Sequence, residues 1–374
     1  MNHFINISDL NKDELRSIID NAKKKKSERG KKSASQPDND QPLQGKNMIM
    51  IFEKTSTRTR ISFDLAVKQL GGSSIILNKD ELRSIIDSAK KKKSERGKKS
   101  ASQPDNDQPL QGKNMIMIFE KTSTRTRISF DLAVKQLGGS SIILNQDEIH
   151  YGKGDETIKD TAKVLSQYAD ILMIRTDSHK NVNEFKKYLD IPIINGLTNE
   201  GHPCQVMSDI LTFEELKGNI KNKTIAWIGD GNNVSVSFME AASKFDFNLN
   251  IACPKKYQPS KNAVKLAKKN KTKLLITEDI FEAVSNADCV MTDKWISMGD
   301  KGDKKKKKKI LKKYQVNKKL MKAAKSDAIF MHCLPASREE EVTSEVMDGK
   351  QSVVWLQAFN RIHAQKSIIE WCIK

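Results

Sequence analysis

Apolar residues along the chain alternate between helical spacing and short continuous runs. Residues 79–93 carry apolar side chains three and four positions apart, which predicts an amphipathic helix. Met115–Phe119 and Ser141–Leu144 have the composition of buried strands, and the helical spacing of Ser123–Leu137 between them ends at two glycines. Strand, helix and strand in this order predict a βαβ unit.

A second unit of the same kind follows later in the chain. Thr224–Asp230, Val234–Phe245 and Leu249–Ala252 predict a strand, a helix and a strand, and Ala287–Thr292 and Ala328–His332 predict two more buried strands. A chain of 374 residues is too long for one ordinary core. We therefore predict an α/β fold with two doubly wound parallel-sheet domains and an active site in the cleft between them.

An internal repeat complicates the first half of the chain. Asn11–Leu77 returns as Asn78–Leu144, an offset of 67 residues, with Asn21 against Ser88 as the one difference. Solenoid repeats drift in sequence and are about 20 to 50 residues long, so this pair is not a solenoid. We interpret it as a recent tandem duplication or an assembly error. Without one copy the chain would have 374 − 67 = 307 residues.

Two identical copies cannot occupy one place in a sheet. The second copy continues directly into the following segment, whereas placing the first copy there would require a 67-residue insertion to be looped out. That insertion costs about 2 kcal/mol in loop-closure entropy. We therefore predict that the second copy takes the native place. The margin is small, because Ile7–Leu10 gives the first copy a natural helix entry.

The formal net charge is +19, and much of it lies in the lysine runs Lys23–Lys26, Lys90–Lys93 and Lys304–Lys309. Such an excess attracts anions, whether nucleic acid, anionic lipid or phosphorylated metabolites. Aromatic residues are not interleaved with the lysines, so a nucleic-acid partner is not expected. We interpret the runs as solvated helix faces and loops.

Compartment signals in the sequence favour the cytoplasm. The five cysteines are scattered without paired spacing, which is typical of a reduced protein rather than a disulfide scaffold or a zinc site. No apolar run reaches about 18 residues, so no membrane span is expected. Met1–Asp9 lacks the basic and apolar stretches of a secretory signal.

A polar motif lies between a predicted strand and a predicted helix at Phe119–Arg127, and it is repeated at Phe52–Arg60. Free N–H groups and the positive dipole end at a helix start bind anions. The hydroxyl and guanidinium groups of the motif add phosphate donors. The candidate ligands are Ser123, Thr124, Arg125 and Thr126. The alternative is a Ser/Thr helix cap with solvated arginines.

This motif resembles the carbamoyl-phosphate motif of the aspartate and ornithine carbamoyltransferases. Further signatures follow in that family's order: His202-Pro203-Cys204-Gln205, Gly229–Asn233, Asp293–Gly299, His332–Pro335 and Asn360-Arg361. The Ser-Met-Gly and His-Cys-Leu-Pro pieces are similar to the ornithine branch. The resemblance covers the whole chain less one repeat copy.

The resemblance implies transfer of the carbamoyl group from carbamoyl phosphate to the side-chain amine of L-ornithine, giving L-citrulline and phosphate in arginine biosynthesis. It also implies a homotrimer or a multiple of it. No metal or redox cofactor is expected, because positioning and electrostatics supply the catalysis. The implied carbamoyl-phosphate ligands are Ser123, Thr124, Arg125, Thr126, His150, Arg175, His202, Gln205, Cys333, Leu334 and Arg361. The implied ornithine ligands are Asn233, Asp293, Ser297 and Met298. The implied catalytic residues are Cys333, Asp293, Arg125 and His202.

Elementary chemistry supports several of these roles while leaving alternatives open. His202 and Gln205 share one side of a helix if Pro203 opens it as its first residue. Arg175 follows a predicted strand, where ligands bind in α/β sheets, or it forms a surface salt bridge. Asn233 is a ligand or a helix cap. The turn at 229–233 lacks Gly-x-Gly-x-x-Gly spacing, which argues against a dinucleotide.

Four segments are expected: a duplicated segment 1–77, a carbamoyl-phosphate-binding domain 78–212, an ornithine-binding domain 213–345 and a C-terminal segment 346–374 that returns to the first domain. The sequence departs from the family's pattern at two places. The loop at His150 differs, and Leu356–Phe359 stands where acidic residues are usual. The alternatives to ornithine transfer are another amine, such as putrescine or acylated ornithine, a non-enzymatic polyanion binder, and a chain inactivated by its duplication.

Overall fold

The computed structural model describes residues 47–49, 73–75, 79–97, 99–101, 103–151, 156–296 and 302–373. The predicted α/β fold with two parallel-sheet domains is confirmed. Within these residues, no helix combines the length and the apolar character needed to cross a membrane.

The first large sheet has four parallel strands and contains the second repeat copy. Two short strands of the first copy precede it, β1 (Asn47–Ile49) and β2 (Ser73–Ile75). The sheet order is β4-β3-β5-β6, with β3 at Asn114–Phe119, β4 at Ser140–Asn145, β5 at Ile171–Arg175 and β6 at Ile193–Leu197. The central strands β3 and β5 are almost continuously apolar because helices cover both faces of the sheet.

Helices join these strands and lead to the second domain. The first is α1, and the next three connect successive strands of the sheet: α1 at Lys79–Arg96, α2 at Thr124–Gln136, α3 at Ile158–Tyr168 and α4 at His179–Tyr188. Helix α5, Pro203–Lys217, links the two sheets. It is buried along most of its length, including both apolar and polar side chains.

The second sheet has five parallel strands in the order β11-β10-β7-β8-β9. Its strands are β7 at Thr224–Ile228, β8 at Asn248–Ala252, β9 at Leu274–Thr277, β10 at Cys289–Thr292 and β11 at Ile329–His332. Its helices are α6 at Asn233–Phe245, α7 at Lys261–Lys269, α8 at Ile280–Val284, α9 at Lys304–Leu311, α10 at Lys318–Ala323 and α11 at Ser344–Met347. Short 3₁₀ turns lie at Gln146–Glu148, Lys255–Tyr257 and Lys312–Tyr314.

The last helix, α12 (Val354–Ile373), returns to the first domain and packs against α1, α2 and α5. It therefore carries residues from the end of the chain to the carboxyl ends of the first sheet's strands. Most of its side chains are buried, including charged ones such as Arg361 and Lys366.

The first repeat copy repeats the strand pairing of the second. Strand β1 pairs with β2 in parallel, with Asn47 opposite Ser73, and β3 pairs with β4 with Asn114 opposite Ser140. In the described part of the chain β1 and β2 form a separate two-stranded sheet, whereas β3 and β4 belong to the four-stranded one. The second copy thus stands beside β5. Asn78, which the sequence offers as the N-cap of α1, lies outside the described residues.

Several lysines of the basic runs form ion pairs with acidic side chains. Lys92 is buried against Glu370, and Lys90 donates to Glu214 at 2.7 Å. Lys307 pairs with Asp230 at 2.8 Å. The prediction of wholly solvated runs is therefore wrong for these lysines, because helix packing brings acidic groups against them. The run Lys23–Lys26 lies outside the described residues.

A buried ion pair anchors α12 to the segment before β3. Lys366 Nζ, fully buried, lies 2.7 Å from Asp105, whose second oxygen accepts from Arg96 at 2.6 Å. Burial alone would raise the pKa of Asp105, but the hydrogen bonds and charges of Lys366 and Arg96 outweigh it and lower the pKa below 3.8. Asp105 is therefore ionised at neutral pH and pairs with two buried cations.

We expect Asp105→Asn to lower the free energy of unfolding by about 3 kcal/mol, because it leaves Lys366 buried without its counter-charge. Urea unfolding at pH 7 measures this. The pKa of Asp105 is lower in the folded protein than in the unfolded protein. Its contribution to stability is therefore complete above the unfolded pKa and is lost as the pH falls through the folded pKa. The control is Asp190→Asn, which removes the exposed pair Lys163–Asp190 and should cost less than about 1 kcal/mol. Equal losses of unfolding free energy in the two variants would contradict the stabilising role of the buried pair Lys366–Asp105.

Candidate active site

The start of α2 forms one wall of the site. Ser123 caps this helix: its hydroxyl oxygen accepts from the Thr126 N–H at 3.4 Å, and its O–H donates to Thr126 Oγ1 at 3.0 Å. Thr124 and Arg125 lie in the first turn and are exposed. The capping alternative is thus realised by Ser123, but the following turn still presents free N–H groups and a guanidinium to solvent.

Two buried arginines from distant parts of the chain meet at Thr126. Arg175, the last residue of β5, donates from Nη1 to Thr126 Oγ1 at 3.3 Å. Arg361 on α12 donates from Nη2 to the same oxygen at 3.1 Å, and from Nη1 to Gln205 Oε1 at 2.9 Å. The surface salt bridge considered for Arg175 is wrong, because the side chain is buried at the strand end.

The positive charges and hydrogen-bond donors of Arg175 and Arg361 are not fully matched by the described residues around them. Burial, followed by the charges of Arg361 and Arg125, lowers the pKa of Arg175 to about 10, so it remains charged at neutral pH. The Nε atoms of both Arg175 and Arg361 are buried without a hydrogen-bond partner among the described residues. Like charges at close range and unused donors are stabilised by an anion, and a phosphate dianion fits both requirements.

His202 stands beside these cations at the start of α5. It is the N-cap residue with Pro203 as the first helical residue, as predicted, and its backbone N–H donates to Ser237 at 2.8 Å. Burial, then the charges of Arg361 and Arg175, holds the pKa of His202 well below 6.5. The imidazole is therefore neutral, and its Nδ1 has no partner in the described structure. A neutral imidazole can donate one hydrogen bond and accept another.

Gln205 lies one turn further along α5 and belongs to a buried hydrogen-bond chain. Its Nε2 donates to Asp209 Oδ1 at 2.8 Å, and Gln357 Nε2 donates to the same oxygen at 2.7 Å. Gln357 Oε1 in turn accepts the backbone N–H of His332 at 2.9 Å. Sequence reasoning missed Asp209 and Gln357. The four-residue spacing of Gln205 and Asp209 on one helix was the available signal.

The carboxyl ends of β10 and β11 together carry a thiol–carboxylate pair. The Cys333 thiol donates to Asp293 Oδ1 at 2.8 Å, and Asn232 Nδ2 donates to Asp293 Oδ2 at 2.7 Å. Burial, then the negative charge of Asp293, raises the pKa of Cys333 well above 9.0. Cys333 is therefore a thiol that orients Asp293 and not a thiolate nucleophile. Cys333 is not an inert core cysteine, since its side chain is partly accessible and lines a cavity.

His332 braces the turn that follows β11. Its Nδ1 accepts the backbone N–H of Leu334 at 2.8 Å, so the proton is on Nε2, which lies 3.3 Å from Glu341. Asp293, His332 and Cys333 each offer a metal-ligand atom within 4.8 Å of one another. Both ring nitrogens of His332 are already engaged, so a metal at this point would have to break those contacts.

A cavity of about 170 Å³ joins the groups of the two domains. Its walls come from α2, α5, α12 and the residues at the end of β11. The lining residues are Thr124, Arg125, Ile128, Ser129, Gln205, His332, Cys333, Gln357, Ala358, Arg361 and Ile362. Arg125 and Cys333 therefore line the same cavity, although they lie far apart in the sequence. His202 is not among the lining residues, but it lies close enough to Arg175 and Arg361 for their charges to act on its pKa.

Some residues singled out in the sequence lie elsewhere. Asn233 is the first residue of α6 and donates from Nδ2 to the Thr198 carbonyl at 2.6 Å, while Asn232, not Asn233, caps the helix. His150 is exposed after β4 and is not among the residues lining the cavity. Ser297 and Met298 lie outside the described residues, as does the repeated motif at Phe52–Arg60.

Family models match almost the whole chain. The model described as "Aspartate/ornithine carbamoyltransferase, Asp/Orn binding domain" matches residues 221–372. The model described as "Aspartate/ornithine carbamoyltransferase, carbamoyl-P binding domain" matches twice, over residues 2–95 and 76–215. The double match agrees with the internal repeat.

Individual proteins give the same result. The chain is 53% identical over 293 residues to an ornithine carbamoyltransferase of Rhodopseudomonas palustris, covering 78% of this chain and 93% of that protein. A second, from Ruegeria pomeroyi, is 48% identical over 294 residues, covering 78% and 95%. The solved ornithine carbamoyltransferase of Pyrococcus furiosus superimposes with a TM-score of 0.74 at 42% identity, covering 79% of this chain and 94% of that one.

We expect Thr126→Val to weaken the binding of inorganic phosphate about tenfold, because two buried guanidinium groups lose their shared acceptor. Isothermal titration calorimetry measures the dissociation constant. Thr126→Ser retains the hydroxyl and is the matched control, with an expected change below about twofold. Equal affinities in the valine and serine variants would show that the hydroxyl does not organise the arginines.

We expect the Cys333 thiol to react slowly with iodoacetamide at pH 8 and faster as pH rises, because its pKa is raised and only the thiolate is nucleophilic. Asp293→Asn removes a negative charge beside the thiol and should lower its pKa, so alkylation at pH 8 should accelerate. Mass spectrometry of the Cys333 peptide follows the reaction. Buried Cys204 in the same digest is the internal control and should show no change between wild type and variant. An unchanged or slower Cys333 reaction would contradict the thiol–carboxylate assignment.

Proposed function

The chain belongs to the aspartate/ornithine carbamoyltransferase family, and from that premise we propose that it transfers the carbamoyl group of carbamoyl phosphate to the side-chain amine of L-ornithine. The products are L-citrulline and phosphate. One observation carries the proposal: the anion site of Thr126, Arg175 and Arg361 adjoins the cavity that Gln205 and Cys333 line from two domains.

Carbamoyl phosphate binds with its phosphate at the start of α2. The N–H groups of the first turn, the hydroxyls of Ser123 and Thr124, and the guanidinium groups of Arg125 and Arg175 surround that position. The unused Nε donor of Arg175 is one of the groups that the phosphate would satisfy.

The carbamoyl end lies against α5, α12 and the turn after β11. Neutral His202 and charged Arg361 donate to the carbonyl oxygen, and Gln205 accepts from the carbamoyl NH₂ group. Cys333 and Leu334 border the same position. These donors are fixed before the substrate arrives, so no reorganisation accompanies the build-up of charge.

Ornithine enters from the second domain, with Asn233, Ser297 and Met298 as proposed ligands of its amino-acid end. Asp293 and Cys333 orient the side-chain amine. The amine loses one proton and its nitrogen attacks the carbonyl carbon. A tetrahedral oxyanion forms.

The oxyanion is stabilised by Arg125, His202 and Thr126 in the manner of an oxyanion hole. The bond from the carbonyl carbon to the phosphate oxygen then breaks. The departing phosphate takes the electron pair of that bond. The second amine proton passes to the departing phosphate, and citrulline remains.

Several finer features are part of the proposal. The carbamoyl-phosphate-binding domain spans residues 78–212, the ornithine-binding domain 213–345, and the C-terminal segment 346–374 returns to the first domain. The protein is a cytoplasmic homotrimer of arginine biosynthesis, and exposed His150 contributes to the site of a neighbouring subunit. The rival reading as a polyanion binder has less support, because described lysines of the basic runs form ion pairs with acidic groups.

We expect Arg125→Ala to reduce kcat/KM for citrulline formation about 10²- to 10³-fold, since it removes a donor that faces the developing charge. The repeat supplies a matched control, because Arg58 has the same sequence neighbours. Arg58→Ala should leave kcat/KM unchanged, as should deletion of residues 11–77. A colorimetric citrulline assay with an amine panel including putrescine and acylated ornithine measures all of these.

Each unexpected result of the citrulline assay has a different meaning. Loss of activity in Arg58→Ala alone would place the site on the first repeat copy. Activity only after deletion of residues 11–77 would mean that the duplication is disabling. No citrulline from either the full or the shortened chain would overturn the proposed function, and a preference for another amine would redirect it.

A further inference from the structure

Asp209 lies at the centre of a buried polar chain and contacts no proposed substrate position itself. It is fully buried on α5, and one of its oxygens, Oδ1, accepts from both Gln205 and Gln357, at 2.8 and 2.7 Å. These two glutamines come from α5 and α12 and both line the cavity. A carboxyl group that holds two cavity-lining amides calls for a functional explanation.

The two ends of a glutamine amide differ chemically, and Asp209 distinguishes them. A carboxylate oxygen only accepts hydrogen bonds, so each amide must present its NH₂ group to Oδ1. The amide oxygens then point the other way: Gln205 Oε1 accepts from Arg361 at 2.9 Å, and Gln357 Oε1 accepts the His332 N–H at 2.9 Å. Arg361 thus holds the oxygen end of Gln205 and Asp209 holds its NH₂ end.

This arrangement survives a change in the ionisation of Asp209. Burial raises the pKa of Asp209 to about 7, against the effect of its hydrogen bonds to Gln357 and Gln205. Its Oδ2 atom has no partner in the described structure, so a proton can reside there. Oδ1 remains an acceptor in both forms, and the orientation of the two amides is kept.

The orientation of Gln205 determines which chemical group the cavity accepts. An amide oxygen has two lone pairs, and Arg361 occupies one of them. The second can accept a hydrogen bond from an NH₂ group in the cavity. A reversed amide would instead turn its own NH₂ group towards a substrate NH₂ group, which places donor against donor.

We propose that Asp209 is a positioning residue that, by holding the NH₂ end of Gln205, makes the cavity select a carbamoyl group over an acyl group without N–H donors. This rests on the proposed function, because it assumes that the carbamoyl end of carbamoyl phosphate lies at Gln205. Acetyl phosphate is the matched probe, since it carries a methyl group in place of NH₂. Inorganic phosphate probes the anion site alone.

The test uses the full chain and the variant Asp209→Asn, whose amide can donate as well as accept and so no longer fixes the NH₂ end of Gln205. The KM for carbamoyl phosphate in the citrulline assay should rise about tenfold. The competitive inhibition constants of acetyl phosphate and of inorganic phosphate should change less than about twofold. A merely structural loss would move all three constants together.

A second variant and a double variant make the test independent of one substitution. Asp209→Leu removes the acceptor at similar volume and should cause the same selective rise if Asp209→Asn does not fold. On a Gln205→Met background, Asp209→Asn should alter the KM less than about twofold, because its effect acts through Gln205. Ser208→Ala is the control: Ser208 is buried one residue away and donates to the Gln357 carbonyl at 3.1 Å, and all constants should stay at wild-type values.

The outcomes separate the two proposals. An active wild type whose Asp209 variants keep the wild-type KM, or raise all three constants equally, overturns the positioning role and leaves the proposed function intact. A full effect of Asp209→Asn in the absence of the Gln205 amide overturns it as well. A wild-type chain that forms no citrulline overturns the proposed function instead.

Discussion

The site depends on two buried guanidinium groups that share one hydroxyl oxygen. Arg175 and Arg361 both donate to Thr126 Oγ1, and neither forms an ion pair with a carboxylate among the described residues. Holding like charges together away from water is costly, so the surrounding structure must keep them in place. A bound anion offsets that cost, and it also stabilises the folded protein, because it binds only the folded state. The two buried arginines therefore leave positive charge available to an anion at the point where we propose that carbamoyl phosphate binds.

Three elements meet this constraint in different ways. Strand β5 is rigid because it lies inside a parallel sheet, so its last residue, Arg175, has a fixed position. Helix α2 begins at the neighbouring strand's end and presents Thr126 from its first turn. Helix α12 brings Arg361 from the end of the chain, and the buried pair of Lys366 and Asp105 fixes that helix against the first domain. The placement of the substrate groups is thus coupled to packing well away from them.

The second domain contributes through the carboxyl ends of β10 and β11. Asp293 and Cys333 hold one another by a hydrogen bond, and Gln357 on α12 binds the backbone of His332 beside them. That contact joins the returning helix to the second sheet and continues through Asp209 to Gln205. Hydrogen bonds from His332 to Gln205, together with the peptide bond between His332 and Cys333, therefore connect the group that would orient the amine with the group that would hold the carbamoyl end.

The sequence by itself determined the local features of this protein. The alternation of helical and strand-like apolar spacing specified the α/β fold. The capped start of α2, the proline that opens α5 and the strand-end position of Arg175 also follow from neighbouring residues. The sequence favoured the second copy of the repeat by only a small margin, because the two copies are nearly identical, and the tertiary structure decided that this copy stands beside β5. It also decided that Asn232 rather than Asn233 caps α6, and that Thr126 joins arginines 49 and 235 positions away. Local patterns encode hydrogen bonds within a turn or a strand, whereas contacts over such separations depend on the path of the whole chain.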